Sequence, residues 1–176
     1  MLNEINSYQT YLESKNSPLN TISAYISDVN LFHCFCKDRL STDKVELELI
    51  DSDLIRAYLV NLIGEKKSNR TISRNVTSLR VFYKYLMLYD FIDKNPMKLI
   101  KTPKYQRKLP HFFSYEEIKA LCELPDLETF SGIRDRTILE LFYSSGIRIT
   151  ELVTLTYKNI DFKNNLIQVI GKGSKK

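Results

Sequence analysis

Apolar residues recur every three or four positions in four separate segments of the first 93 residues. This spacing places them on one face of a helix and predicts four amphipathic helices. Short, closely connected helices bury such faces against one another, so residues 1–93 are predicted to form a compact helical bundle. The apolar positions are, in chain order, Leu2, Ile5, Tyr8 and Leu12; Ile22, Tyr25, Ile26, Val29, Phe32 and Cys36; Leu54, Ile55, Tyr58, Leu59 and Leu62; and Ile72, Val76, Leu79, Phe82, Tyr83 and Leu86.

Local signals place the ends of these helices. Ser17 followed by Pro18 predicts the start of the second helix, which we expect to stop near Lys37. Asp51 or Ser52 is expected to cap the third helix, and the fourth begins after Ser68 and runs to about residue 89.

The charge of the chain is unevenly distributed. Residues 1–53 carry 4 Lys/Arg against 9 Asp/Glu, residues 54–110 carry 13 against 3, and residues 111–176 carry 9 of each, which leaves a net charge of +5. So basic a middle segment favours a polyanionic partner such as nucleic acid, although a solvated basic surface would have the same composition.

The fourth predicted helix carries part of this charge on the face opposite its apolar residues. Arginine, lysine and threonine side chains suit the major groove of DNA and its bordering phosphates, and a solvated face is the alternative. The residues of this polar face are Arg70, Arg74, Thr77 and Lys84, with Ser73 and Arg80 beside them.

The segment from residue 94 to residue 110 contains three prolines and six Lys/Arg and shows no helical period. Prolines stiffen a chain and like charges extend it, so the segment is predicted to be a linker between two domains. An inert surface connection is the alternative.

A second domain is predicted after Pro110. Ser114 and Glu117 have the spacing of a capping box, and the helix they start is closed by Pro125. A further helix, headed by residues 134–136, ends at Gly146, a residue type that closes helices in the left-handed conformation. A short helix to about residue 157 and two strands, 160–162 and 166–170, joined by an Asn-Asn turn complete the pattern.

Two cations in this region suggest phosphate chemistry. Arg148 falls at a sharp turn beside the start of a helix, where its guanidinium and the unpaired amides can cradle a phosphate. Lys172 lies between two glycines after the second strand. Either pattern alone is more often an ordinary surface turn, but together they can serve one phosphodiester.

The sequence Gly146-Ile147-Arg148-Ile149-Thr150-Glu151-Leu152, followed by Val169-Ile170-Gly171-Lys172-Gly173, resembles the first catalytic box and hairpin lysine of the tyrosine recombinases, the phage-integrase family, and of its Xer-type members in particular. The resemblance implies that Arg148 contacts the phosphate, that Lys172 protonates the departing 5′-oxygen and that Glu151 orients the site. It implies strand cleavage by a tyrosine through a 3′-phosphotyrosyl intermediate, with no metal and no organic cofactor.

The resemblance also assigns the rest of the chain. Residues 1–93 correspond to a SAM-like core-binding domain, residues 94–110 to the linker, and residues 111–176 to the first part of an α+β catalytic domain, so the fold class is mainly α. The second and fourth helices are then expected to face double-stranded DNA through Thr21, Ser23, Arg70, Arg74 and Thr77.

Later family motifs have no match in these residues. The His-x-x-Arg motif, a further His or Trp and the nucleophilic tyrosine follow the hairpin lysine in the family, and none of the eleven tyrosines here has a matching context. We therefore expect this chain not to cleave DNA alone. It is either part of a site-specific recombinase or a non-catalytic module that occupies recombination sites, and self-association or a related recombinase on DNA is expected. Chromosome partition and phage or mobile-element integration both stay open as host processes.

The cysteine count and the absence of long apolar runs indicate the cellular compartment. Three cysteines fit a reducing compartment, and no signal peptide or apolar run of about 20 residues is present, so a cytoplasmic protein is expected. A metal site at His33, Cys34 and Cys36 is disfavoured, since helical positions 34 and 36 point roughly 200° apart.

Overall fold

The computed structural model describes residues 1–105 and 109–169. The chain divides into two compact units, Met1–Lys108 and Leu109–Lys176. Each unit is described by itself.

The first unit is a bundle of the four predicted helices, which confirms the predicted mainly α fold. Helix α4 packs against the other three helices. Two short 3-10 helices lie outside the bundle's main helices, at Leu47–Leu49 and Pro96–Leu99. The four helices are α1 (Leu2–Ser14), α2 (Leu19–Leu40), α3 (Ser52–Gly64) and α4 (Asn69–Leu88).

Aromatic side chains join the helices at the centre of the bundle. The ring of Tyr8 in α1 meets that of Phe82 in α4 edge to face, with centroids 5.1 Å apart. Phe32 in α2 meets Tyr58 in α3 at the same distance and in a similar geometry. Such pairs contribute energy beyond the burial of their area, so they help to hold α1 against α4 and α2 against α3.

The observed caps follow the sequence signals at two helices and differ at one. Asp51 accepts hydrogen bonds from the amides of two residues at the start of α3, and Ser68 accepts one from the amide of Thr71 at 3.1 Å. At α2, however, Pro18 rather than Ser17 occupies the N-cap position, and its carbonyl accepts from the amides of Thr21 and Ile22. The helix continues to Leu40, three residues beyond the predicted stop.

The beginning of the predicted linker is folded rather than extended. Asn95 accepts a hydrogen bond from the amide of Met97 at 2.8 Å and starts the 3-10 helix there. The side chains of Met97 and Ile100 are then buried in the core of the first unit, with exposed fractions of 2% and 5%. A single helical turn is too short to show a period in the sequence, which is why periodicity missed it.

The second unit begins with two helices, α5 (Tyr115–Glu123) and α6 (Phe130–Ser145). The capping box of Ser114 and Glu117 is present, as predicted. Helix α6 starts four residues before Arg134, since Thr129 caps it by accepting from the amide of Gly132. A β-carbon at Gly132 would lie 1.8 Å from the carbonyl oxygen of Asp126, so the loop before α6 requires glycine there.

The rest of the second unit is short. Helix α7 covers Ile149–Leu152 only and ends about five residues before the predicted end near residue 157, and a 3-10 helix, Tyr157–Asn159, follows. Strands β1 (Ile160–Asp161) and β2 (Leu166–Ile167) pair antiparallel, which confirms the hairpin. Asn165 takes a positive φ of 54° in the turn, a conformation that asparagine tolerates.

Within residues 109–169 the second unit exposes most of its large apolar side chains. Ile147, at 8% exposure, is the one apolar side chain that is buried in this part. The most exposed include Phe112, Leu124, Phe130, Val153 and Tyr157. The described elements of this unit therefore do not enclose a core of their own.

In the part of the chain that the structure describes, no helix has the length and apolar content needed to cross a membrane.

Two buried tyrosines make a matched test of the core. The Tyr58 hydroxyl donates to Oδ1 of buried Asn75 at 2.8 Å, whereas the Tyr83 hydroxyl has no hydrogen-bond partner among the described residues. We expect Tyr58→Phe to lower the free energy of unfolding by about 1–3 kcal/mol, because the buried Oδ1 of Asn75 loses its donor. Tyr83→Phe should leave it unchanged or raise it. Urea denaturation monitored by circular dichroism measures both, and equal losses would contradict this assignment.

The folded linker start predicts how far the first unit extends. A fragment of residues 1–93 lacks buried Met97 and Ile100, and burying two such side chains contributes about 3–6 kcal/mol. The fragment 1–105 should therefore unfold at clearly higher urea concentration than 1–93. Equal midpoints would place the boundary at residue 93, where the sequence predicts it.

Candidate nucleic-acid interface and the Arg148 turn

The polar face of α4 forms an open depression on the first unit. Its residues follow the spacing of one helical face, and the depression has a volume of about 370 Å³. Tyr105, five residues beyond the buried Ile100, forms part of the wall. The lining residues are Arg70, Thr71, Ser73, Arg74, Thr77 and Tyr105. Three of the predicted DNA-contacting residues, Arg70, Arg74 and Thr77, are thus brought together.

One of these arginines is held by a buried acid. Nη1 of Arg74 lies 2.9 Å from Oδ2 of Asp28 in α2, and the hydroxyl of Ser78 donates to the same oxygen at 2.6 Å. The Asp28 side chain is 3% exposed and that of Arg74 is 48% exposed. Asp28 therefore fixes one edge of the guanidinium and leaves the remainder in solvent.

The pKa of Asp28 is set by its burial and by these two partners. Burial raises the pKa of Asp28, while the Ser78 hydroxyl and the Arg74 guanidinium act in the opposite direction. Sequence reasoning missed this residue as a functional one. The available signal was its position, since Asp28 falls three residues after Tyr25 and four before Phe32, at the edge of the apolar face of α2.

The other predicted contacts are accessible to different degrees. Arg70 is exposed at the start of α4, and the hydroxyl of exposed Thr77 donates to the carbonyl of Ser73 at 2.9 Å. Thr21 is half-buried in the first turn of α2, and Ser23 is exposed. α2 and α4 pack against each other in the same unit.

Arg80 has partners that the sequence did not indicate. Its Nη2 donates to the carbonyl oxygen of Ile100 at 3.0 Å, and its Nη1 donates to the hydroxyl oxygen of Thr102 at 3.1 Å. Both acceptors lie in the segment that follows the bundle. Arg80 therefore connects α4 to that segment.

In the second unit a sharp turn presents Arg148. Helix α6 ends at Gly146, which has the left-handed φ of 63°, and Arg148 is the N-cap residue of α7. The amide of Arg148 donates to Oε2 of Glu151 at 2.8 Å, and its Nη1 donates to Oε1 at 2.7 Å. The Glu151 side chain is 8% exposed and that of Arg148 is 71% exposed.

The two contacts define the electrostatics of this turn. The backbone amide of Arg148, and then its guanidinium, hold the pKa of Glu151 below its usual range. Glu151 is therefore ionised at neutral pH and binds one edge of the Arg148 guanidinium. The other edge faces solvent, where a planar arginine fork can bind two oxygens of a phosphate.

The predicted partner of Arg148 is Lys172, which lies outside the described residues. The roles of Arg148, Lys172 and Glu151 therefore remain predictions.

Comparison with known proteins bears on both units. Residues 5–89 match the model of the phage integrase N-terminal SAM-like domain, and residues 111–176 match the model of the phage integrase family. Tyrosine recombinase XerC of Chlamydia caviae is 34% identical over 99% of this chain and 61% of its own length. Tyrosine recombinase XerD of Staphylococcus epidermidis is 35% identical over 97% of this chain and 57% of its own length. The chain thus spans about three-fifths of the length of these relatives.

A solved structure has a similar fold. The integrase from mycobacterium phage Brujita superposes with a TM-score of 0.53 at 20% identity, over 97% of this chain and 54% of the integrase. The two adjacent family-model matches, together with the Xer relatives, show that the chain belongs to the phage integrase family of tyrosine recombinases.

Proposed function

We propose that the first unit binds double-stranded DNA through the polar face of α4 and the first turns of α2. We further propose that Arg148 contacts the phosphodiester that is broken and rejoined in site-specific recombination. Membership of the family supports recombination as the process. The excess of positive charge in residues 54–110 supports DNA as the partner.

The observation that carries the catalytic part is the Arg148 turn. A surface arginine usually samples many conformations, but here two hydrogen bonds to a nearly buried carboxylate hold Arg148 at its own backbone and at its side chain. Catalysis benefits when such a group is positioned before the charge develops, because no reorganisation is then needed. Glu151 would act as the positioning residue.

The chemistry assigns each cation a separate task. Attack of a tyrosine oxygen on the phosphorus builds negative charge on the phosphoryl oxygens, and the exposed edge of Arg148 would stabilise that charge. The 5′-oxygen leaves as a poor alkoxide, and Lys172 would donate a proton to it. The phosphotyrosyl bond conserves the energy of the broken strand, so rejoining needs no added cofactor.

A non-catalytic DNA-binding role is the second candidate. It is favoured by the difference between the units, since the first has a complete core while the described part of the second has one buried apolar side chain. A nicked DNA substrate that traps phosphotyrosyl adducts separates the candidates. We propose that these 176 residues bind DNA and form no adduct, and a covalent product would show that they contain the nucleophile.

Arg70→Ala tests the DNA-binding face. Arg70 is exposed on α4, so its loss should weaken binding and lower the slope of log K against log[salt] by about one. Fluorescence anisotropy at several salt concentrations measures both quantities. Arg56→Ala is a matched control, because Arg56 is an exposed arginine of α3 that pairs with Asp53. Equal effects of the two variants would argue against this face.

Arg74→Ala should affect folding as well as binding. Removal of the guanidinium raises the pKa of buried Asp28 further, so the ionised acid destabilises the folded state by about 1–2 kcal/mol at pH 7. A carboxyl with a raised folded pKa imposes no penalty once it is protonated in both states. The stability deficit relative to the wild type should therefore shrink as the pH falls from 7 toward about 4. Urea titrations across this range measure it, and a pH-independent deficit would contradict it.

Arg148→Ala tests the catalytic assignment in a recombinase that contains these residues together with the remaining catalytic groups. Loss of one preorganised charge-stabilising group should lower the rate of strand cleavage by about 10²–10³-fold. Binding to the same DNA should change little, since the proposed affinity comes mostly from the first unit. Retention of cleavage would remove Arg148 from its proposed role.

A further inference from the structure

We propose that Arg80 is a positioning residue that holds residues 100–105 along the polar face of α4, so that Lys101, Lys104 and Tyr105 take part in DNA binding. This inference rests on the proposed DNA binding by α4. It extends the binding surface beyond the helices into the segment that follows them.

The segment is anchored at its beginning. Met97 and Ile100 are buried in the core of the first unit. Directly after this anchor, the Arg80 guanidinium donates to the Ile100 carbonyl at 3.0 Å and to the Thr102 hydroxyl at 3.1 Å. The two acceptors are 20 and 22 residues away along the chain. The Arg80 guanidinium thus holds the chain as far as Thr102, two residues beyond buried Ile100.

The segment then runs back along α4 toward its start. From Arg80 to Arg74 the helix rises about 9 Å, and the three residue steps from Thr102 to Tyr105 span at most about 10–11 Å. Tyr105 lines the same depression as Arg70 and Arg74. The direction of the chain and its length are therefore consistent with a segment that lies beside the basic face.

This arrangement adds a second row of DNA-binding groups. Lys101 and Lys104 are exposed, and the Tyr105 side chain is 39% exposed at the wall of the depression. An unanchored segment would lose its conformational freedom when DNA binds, which lowers affinity. Arg80 restricts that freedom in the unbound protein, so fewer conformations are lost on binding.

An arginine on this face can also act by a direct phosphate contact, and two substitutions separate the two roles. Arg80→Ala removes both the guanidinium and its hydrogen bonds. Thr102→Val keeps the guanidinium and its charge but removes the side-chain acceptor in the segment. A positioning role predicts weaker DNA binding for both variants, whereas a direct contact predicts weaker binding for Arg80→Ala alone.

The experiment measures binding of the whole 176-residue chain to a short mixed-sequence duplex at low salt by fluorescence anisotropy. We expect Arg80→Ala to weaken binding about tenfold, Thr102→Val to weaken it less, and the double variant to be no weaker than Arg80→Ala. Limited trypsin digestion of the unbound protein should cut after Lys101 and Lys104 faster in both variants. Arg56→Ala is the charge-matched control and should match the wild type in both assays.

Several outcomes would overturn the proposal. Unchanged affinity in Arg80→Ala, while Arg70→Ala binds more weakly, would remove the segment from the interface and leave DNA binding by α4 intact. Wild-type affinity and digestion in Thr102→Val, with weak binding in Arg80→Ala, would assign Arg80 to a direct contact. Unchanged affinity in Arg70→Ala and Arg80→Ala together would refute DNA binding by this face and the inference with it. If Arg80→Ala fails to fold, Thr102→Val alone decides between weakened and unchanged binding.

Discussion

Burial of the apolar face of α4 against α1, α2 and α3 determines where the polar residues of α4 lie. Phe82, Leu86 and their apolar neighbours are fully buried, so the helix cannot rotate without exposing them. Arg70, Arg74 and Thr77 are consequently fixed on the opposite face. The proposed DNA surface is thus a consequence of core packing, and its register is as stable as the core itself.

Polar contacts at the edge of this core orient individual side chains on the proposed DNA surface. Asp28 reaches from α2 to α4 and orients Arg74, and Arg80 reaches from α4 to the segment after the bundle. In the second unit Glu151 does the same for Arg148. In each case one edge of a guanidinium is held by an oxygen of the protein. An arginine that is already held in one conformation loses less conformational entropy when it binds a phosphate. All three arginines are held in this way.

Sequence patterns predicted the features that depend on neighbouring residues. The four amphipathic helices, the Ser114 capping box and the glycine at the end of α6 all follow from local spacing. The folded turn at Pro96–Leu99 did not, because a single helical turn is too short to show a period. The partners of Arg80 did not either, because they lie 20 and 22 residues away along the chain. An arginine bonded to a backbone carbonyl has the same sequence signature as one in solvent. The burial of Asp28 could have been suspected from the sequence, because an acidic residue at the edge of the apolar face of α2 is unusual.

The two units differ most in how they treat apolar side chains. The first encloses a core of its own, whereas the described part of the second leaves residues such as Phe130 and Tyr157 in water. Surfaces of this kind favour association between molecules. Concentrated solutions of this chain should therefore form clusters through the second unit, and the mutual repulsion of the positively charged first unit should oppose this clustering.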